Sequence, residues 1–172
     1  MATETQNNII LVGFMGTGKT TVGRLLARQL DMTFLDMDQE IEAREGRAIS
    51  DIFAKEGEPH FRKLERALVR ELSGRTGLVI GAGGGIVLNP ENVADYARTG
   101  LVVCLTATPE TILKRVEKES HRPLLEGDEK SKRILQILDA RKHLYAAIPH
   151  QVDTTTLTPE QVVERIVAMR EP

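Results

Sequence analysis

Five short apolar runs punctuate the chain: Ile9–Val12, Thr33–Leu35, Leu78–Ile80, Leu101–Leu105 and the less apolar His150–Val152. Unbroken runs of this length suit strands buried on both faces. Between them the period changes. Val22, Leu25, Leu26 and Leu30 recur at helical spacing within 20–30, and helices are predicted over 38–45, 50–72, 90–98, 109–119, 130–147 and 159–169. Ser50, Asn89, Thr108 and Thr158 stand where helix caps are expected, the last three each just before a proline or, for Asn89, Pro90 itself. Strands alternating with helices predict an α/β domain with a parallel sheet covered on both faces. At 172 residues the chain fits one domain.

One stretch breaks the rhythm. Residues 118–132 are highly charged and contain Pro123 and Gly127. Two readings stand: a solvated surface loop, or a lid that closes over phosphates and excludes water. A formal net charge of −2 argues against a general nucleic-acid binder. The single cysteine, Cys104, lies inside an apolar run, which leaves no disulfide framework or cysteine metal site. The polar first eight residues lack the pattern of a secretory or transit signal, and no apolar run reaches membrane-spanning length. A cytoplasmic protein without membrane or nucleic-acid partners is expected.

Candidate chemistry changes the picture most at Gly13-Phe14-Met15-Gly16-Thr17-Gly18-Lys19-Thr20, which fits G-x-x-x-x-G-K-[ST] at every fixed position. A strand precedes it and a helix follows. Glycines there let backbone N–H groups turn toward phosphates, and the helix N-terminus adds partial positive charge. Lys19 would reach the β- and γ-phosphates, and the Thr20 hydroxyl would ligate Mg²⁺. The chain is expected to bind a nucleoside triphosphate.

Asp36 and Asp38 end the second run, and strand alternation would send both to one side, facing the glycine loop. A carboxylate there serves Mg²⁺ through water or orients an acceptor hydroxyl; capping of the next helix by Asp38 is the alternative. Gly83-Gly84-Gly85 follows the third run, either a flexible turn or a place of close backbone approach to an anionic or hydroxylated substrate. Arg62, Arg115, Arg122 and Arg141 are candidates for carboxylate or phosphate forks among many surface cations. Glu65 lies three residues after Arg62, close enough on a helix to brace it. The four histidines show no metal-ligand spacing.

The succession of the glycine loop, Asp36-x-Asp38, Phe61-Arg62-x-x-Glu65, Gly83-Gly84-Gly85, Arg122-Pro123-Leu124-Leu125, Arg141-x-x-x-Tyr145 and Val152-Asp153 leading to Pro159 resembles shikimate kinase, from about Asn8 to Met169. The resemblance implies a P-loop kinase fold in three layers, with five parallel strands in order 2-3-1-4-5, an acceptor-binding segment near 37–65 and a lid near 118–130. It implies a monomer that uses ATP and Mg²⁺ to phosphorylate the 3-hydroxyl of shikimate, a step toward aromatic amino acids. By position, Asp38, Arg62, Gly83, Gly84, Gly85 and Arg141 would bind shikimate. Gly16, Thr17, Gly18, Lys19, Thr20, Thr21, Arg115, Arg122 and Asp153 would bind ATP, with Thr20 and Asp36 serving the metal. Lys19, Asp38 and Arg122 would carry the catalysis. One departure is visible: family members often place Thr or Ser just before the glycine run, where this chain has Gly81-Ala82.

Two rivals remain at this point. A related gluconate or nucleotide kinase would share the donor loop but need a different acceptor set. A non-catalytic nucleotide switch would keep Lys19 and Thr20 without needing Asp38, Arg62, Arg122 and Arg141 together.

Overall fold

The computed structural model describes residues 7–120 and 128–170. In chain order the elements are β1 (Asn8–Val12), α1 (Lys19–Leu30), β2 (Thr33–Asp36), α2 (Met37–Glu45), α3 (Ile49–Glu56), α4 (Glu58–Ser73) and β3 (Leu78–Gly81). A 3₁₀ turn (Ile86–Leu88), α5 (Pro90–Thr99), β4 (Gly100–Thr106), α6 (Pro109–Ser120), α7 (Glu129–Ala146), β5 (His150–Asp153) and α8 (Pro159–Arg170) follow. The strands form one parallel sheet in the order β2-β3-β1-β4-β5.

Strand alternation divides the apolar side chains between two cores. Ile9 and Leu11 pack with Val79, Val103 and Leu105 beneath α1 and α8. Ile10 and Val12 point the other way, into a larger core with Ile80, Cys104 and side chains of α2, α4, α5 and α7. Parallel strands covered on both sides have no polar face, so they read in the sequence as continuous apolar runs. Asn8, which the sequence grouped with the polar leader, is fully buried at the start of β1. Its side-chain amide donates to the Leu72 and Arg75 carbonyls, and its side-chain oxygen accepts from the Leu78 N–H, tying β1 to the α4–β3 connection.

Three helix expectations need correction. The stretch 50–72 is two helices, because Gly57 at φ +83° ends α3 and starts α4 in a new direction. Ser50 does not cap α3; the helix begins one residue earlier, and the Ile49 N–H donates to the Glu42 carboxylate of α2 at 3.0 Å instead. The β2–α2 junction comes earlier than expected, with Asp36 rather than Asp38 as the cap, accepting from the Gln39 N–H at 3.0 Å. Asn89, Thr108 and Thr158 do cap α5, α6 and α8, each accepting from a backbone N–H of the first turn. Among the described residues no helix is long and apolar enough to cross a membrane.

Candidate active site

The loops after β1 and β3 leave neighbouring strands side by side, at the carboxyl edge where ligands of open parallel sheets bind. The β1 loop turns through Gly13, Gly16 and Gly18, all at positive φ. A Cβ at Gly13 would collide with the Leu105 carbonyl of β4, so glycine is required there by space as well as by conformation. Thr17 is buried and its hydroxyl donates to the Phe14 carbonyl at 2.7 Å, closing the turn from inside. Lys19 opens α1, and its ammonium donates to the Gly13 and Phe14 carbonyls at 2.6 and 3.0 Å. Loss of hydration there lowers its pKa to about 8, with the nearby Asp38 carboxylate acting in the opposite sense.

Beyond Lys19 lies a cleft of about 290 Å³, walled by the glycine loop, the β2–α2 junction and the start of the glycine run. Thr20, Thr21, Asp36, Asp38, Gly83 and Gly84 line it. The Thr20 hydroxyl donates to Asp36 Oδ2 at 3.3 Å. Asp36 and Asp38 share the cleft, though not by strand alternation: β2 stops at Asp36, and Asp38 enters from the first turn of α2. Burial raises the Asp38 pKa, Asp36 adds to the rise, and Lys19 and Arg62 oppose it.

The glycine run is the meeting point for groups spread over the chain. Asp38 Oδ1 lies 2.9 Å and Glu65 Oε2 3.3 Å from where a Cβ on Gly83 would sit. A Cβ on Gly84 would stand 3.7 Å from Arg141 Nη1 and 3.8 Å from the Gly13 carbonyl oxygen, and one on Gly85 would overlap the Arg62 guanidinium. Glycine at 83 and 85 therefore lets the Asp38 and Glu65 carboxylates and the Arg62 guanidinium close on the backbone, with Arg141 in ordinary contact beyond Gly84. Arg62 donates to Glu65 at 3.1 Å and to Glu58 at 3.2 Å, so the bracing read from the sequence is present. Glu65 is 2% exposed and its pKa is raised chiefly by burial, against the pull of Arg62. Arg62 also lies over the Phe61 ring, which packs against Phe53 with centroids 5.0 Å apart. Phe53 escaped the sequence reading. Its neighbours in space come from the turn at Gly57, which the apolar pattern does not reveal.

On the other side of the β1 loop, Arg115 of α6 donates to the Gly16 carbonyl at 3.1 Å and to Thr154 through two bonds of 2.9 and 3.0 Å. The Asp153 carboxylate accepts from the N–H and hydroxyl of Thr155, which shapes the loop after β5 and holds its pKa down. Arg115 thus ties the outer side of the glycine loop, at Gly16, to the Thr154 segment that follows Asp153. Of the Gly81-Ala82 pair before the glycine run, Gly81 lies against the Phe34 ring, which a Cβ would approach to 3.4 Å, and Ala82 is buried. Arg122 and the central part of the expected lid lie outside the described residues.

A phosphate loop with Asp36 and Asp38 on one cleft at the edge of this sheet, and Arg62 and Arg141 beside the adjoining glycine run, are the parts of a small-molecule kinase of the P-loop class. A family model described as shikimate kinase matches residues 15–171. A shikimate kinase of Pelotomaculum thermopropionicum is 46% identical over 160 residues, covering 93% of each chain. The structure of a shikimate kinase from Acinetobacter baumannii in complex with shikimate superposes with a TM-score of 0.86 at 38% identity, over 98% of this chain and 94% of that one. The chain belongs to the shikimate kinase family. A gluconokinase from Sinorhizobium meliloti shares the fold alone, with a TM-score of 0.61 at 16% identity over 95% of this chain and 91% of that one.

Proposed function

We propose that this chain transfers the γ-phosphoryl group of ATP to the 3-hydroxyl of shikimate, yielding shikimate 3-phosphate and ADP on the route to aromatic amino acids. The observation that carries this reading is the convergence of Asp38, Arg62 and Arg141 on Gly83–Gly85, beside the Lys19 loop. A small polyol carboxylate needs planar cations for its carboxylate and an acceptor for its hydroxyls, which is the inventory present. Arg62 and Arg141 take the carboxylate with the glycine amides, and Asp38 orients the attacking hydroxyl and accepts its proton late in the transfer. Lys19 neutralises the phosphate oxygens, after exchanging its bonds to the Gly13 and Phe14 carbonyls for the nucleotide. Gly16, Thr17, Gly18, Thr20 and Thr21 surround the phosphates, while Arg115 and Asp153 border the nucleoside. Arg122, in a lid near 118–130, completes the phosphate embrace.

Thr20 and Asp36 fit Mg²⁺, because their oxygens lie 3.3 Å apart at the cleft wall and are hard-cation donors. Among the described residues no group of three or more His, Cys, Asp or Glu forms a metal cage, in keeping with an ion held mainly by phosphates and water. When bound, the ion offsets charge on the β- and γ-oxygens. The enzyme works as a cytoplasmic monomer of one domain, with no membrane or nucleic-acid partner and an acceptor segment near 37–65.

Coupled ADP release with shikimate, gluconate and each nucleoside monophosphate tests the acceptor. Turnover with shikimate alone is expected. Turnover confined to gluconate or a nucleotide overturns the proposal, and ATP binding without any turnover points to a switch.

A further inference from the structure

The Arg141-x-x-x-Tyr145 pattern contributes an arginine to the proposed site but leaves the tyrosine unexplained. Tyr145, near the end of α7, is 5% exposed, and its hydroxyl donates to the Gly84 carbonyl 61 residues away at 2.5 Å. The other two carbonyls of the run are held locally: Gly83 accepts from the Ile86 N–H and Gly85 from the Leu88 N–H, each at 3.1 Å. Gly84 depends on a distant side chain. Its carbonyl shares a planar peptide with the Gly85 N–H, so fixing one fixes the other in the opposite direction. Arg141, one turn earlier on α7, brings its guanidinium to 3.7 Å from where a Cβ on Gly84 would sit, so both side chains of α7 converge on this peptide. The chain's other tyrosine, Tyr96, is as deeply buried, but its hydroxyl donates to the Met37 thioether, a weak acceptor.

We infer that Tyr145 is a positioning residue of the acceptor half, its hydroxyl clamping the Gly84–Gly85 peptide and Arg141 in the geometry that receives the acceptor carboxylate. This role rests on the acceptor site proposed above. Tyr145 touches no substrate; it removes the freedom that three successive glycines would otherwise leave. A merely structural tyrosine would contribute to stability alone.

Steady-state kinetics of Tyr145→Phe, with each substrate varied in turn, separate the two. The expected result is a KM for shikimate raised about 5- to 20-fold, with KM for ATP within about twofold of the parent, because one strong hydrogen bond at the acceptor site is lost. Ile134→Ala, which opens a void on the same helix, is expected to lower Tm without that KM change. An unchanged KM for shikimate in Y145F, equal losses for both substrates, or the same KM rise in Ile134→Ala overturns the inference. The parent enzyme run alongside keeps the two readings apart: if it does not turn over shikimate, the acceptor site itself is wrong. The clamp is also testable without altering the fold. With 3-fluorotyrosine at both tyrosines, assigned using Tyr96→Phe, the ¹⁹F resonance of Tyr145 is expected to move as shikimate saturates the enzyme; a resonance that stays fixed overturns the inference.

Discussion

Burial brings Lys19 down to about 8 and carries Asp38 above the ordinary carboxylate value, so these two of the cleft's charged groups are pushed toward neutrality from opposite sides. For Lys19 the consequence has a definite sign. The free enzyme loses this positive charge as pH rises through about 8, so kcat/KM for ATP is expected to fall above that pH. In Lys19→Arg, whose guanidinium stays charged, a pH–rate series should lack that limb even if its plateau is lower. A raised pKa makes Asp38 a better proton acceptor than an exposed carboxylate. Asp38→Asn keeps the shape and removes the base, and it is expected to reduce kcat by about 100-fold or more in the coupled assay. Near-normal kcat would rule out the base role. Asp38 reaches the cleft from the first turn of α2 and not by the strand alternation expected of it, whereas Lys19 and Thr20 were legible from the sequence because their signal is local, a fixed spacing beside a strand end. The burial of Glu65 and the reach of Tyr145 to Gly84 were not, because both depend on contacts between segments far apart in the chain.

At the scale of elements, the site is assembled by two abrupt junctions. β2 gives way to α2 without a loop, which puts Asp36 at the cap and Asp38 a short step beyond it, with Met37 fully buried between them as an anchor. The direction change at Gly57 then turns α4 so that Arg62 and Glu65 face the glycine run. Gly57 combines φ +83° with ψ 168°, a conformation nearly closed to residues with a Cβ. Space is not the obstacle, since a Cβ there would meet nothing closer than 3.6 Å. Gly57→Ala is therefore expected to cost about 1–3 kcal/mol through backbone strain, seen as a Tm lower by several degrees, and to weaken shikimate binding by displacing Arg62. An unchanged Tm would mean the α3–α4 turn relaxes freely. The apolar runs predicted β1, β3 and β4 because central parallel strands buried on both faces leave no polar register; the edge strands β2 and β5, more exposed, gave shorter or less apolar runs. The α3–α4 break escaped the same reading because helical spacing continues through both helices, and a single glycine does not announce whether it bends a helix or ends it.

For the molecule as a whole, the parallel sheet sets donor and acceptor groups on one edge, and charges concentrated there influence folding as well as catalysis. Glu65 binds its proton more tightly when folded than when unfolded. Through the pH window between its ordinary and raised pKa values the folded state holds more protons, so the unfolding free energy falls as pH rises. Denaturant titrations across that window should show a shallower pH dependence in Glu65→Gln, whereas an identical slope would exclude Glu65 as its source. The gluconokinase structure shares the fold at 16% identity, so architecture alone does not choose the acceptor; on the proposed reading the residues around Gly83–Gly85 do. The direct measurement is ³¹P NMR of the products formed from ATP, Mg²⁺ and shikimate by the purified chain. One new phosphomonoester, coupled to the C3 proton of shikimate and equal in amount to the ADP formed, is expected. ATP consumed without that ester, or an ester on a different hydroxyl, would contradict the assignment of Asp38, Arg62 and Arg141 as the acceptor half of the site.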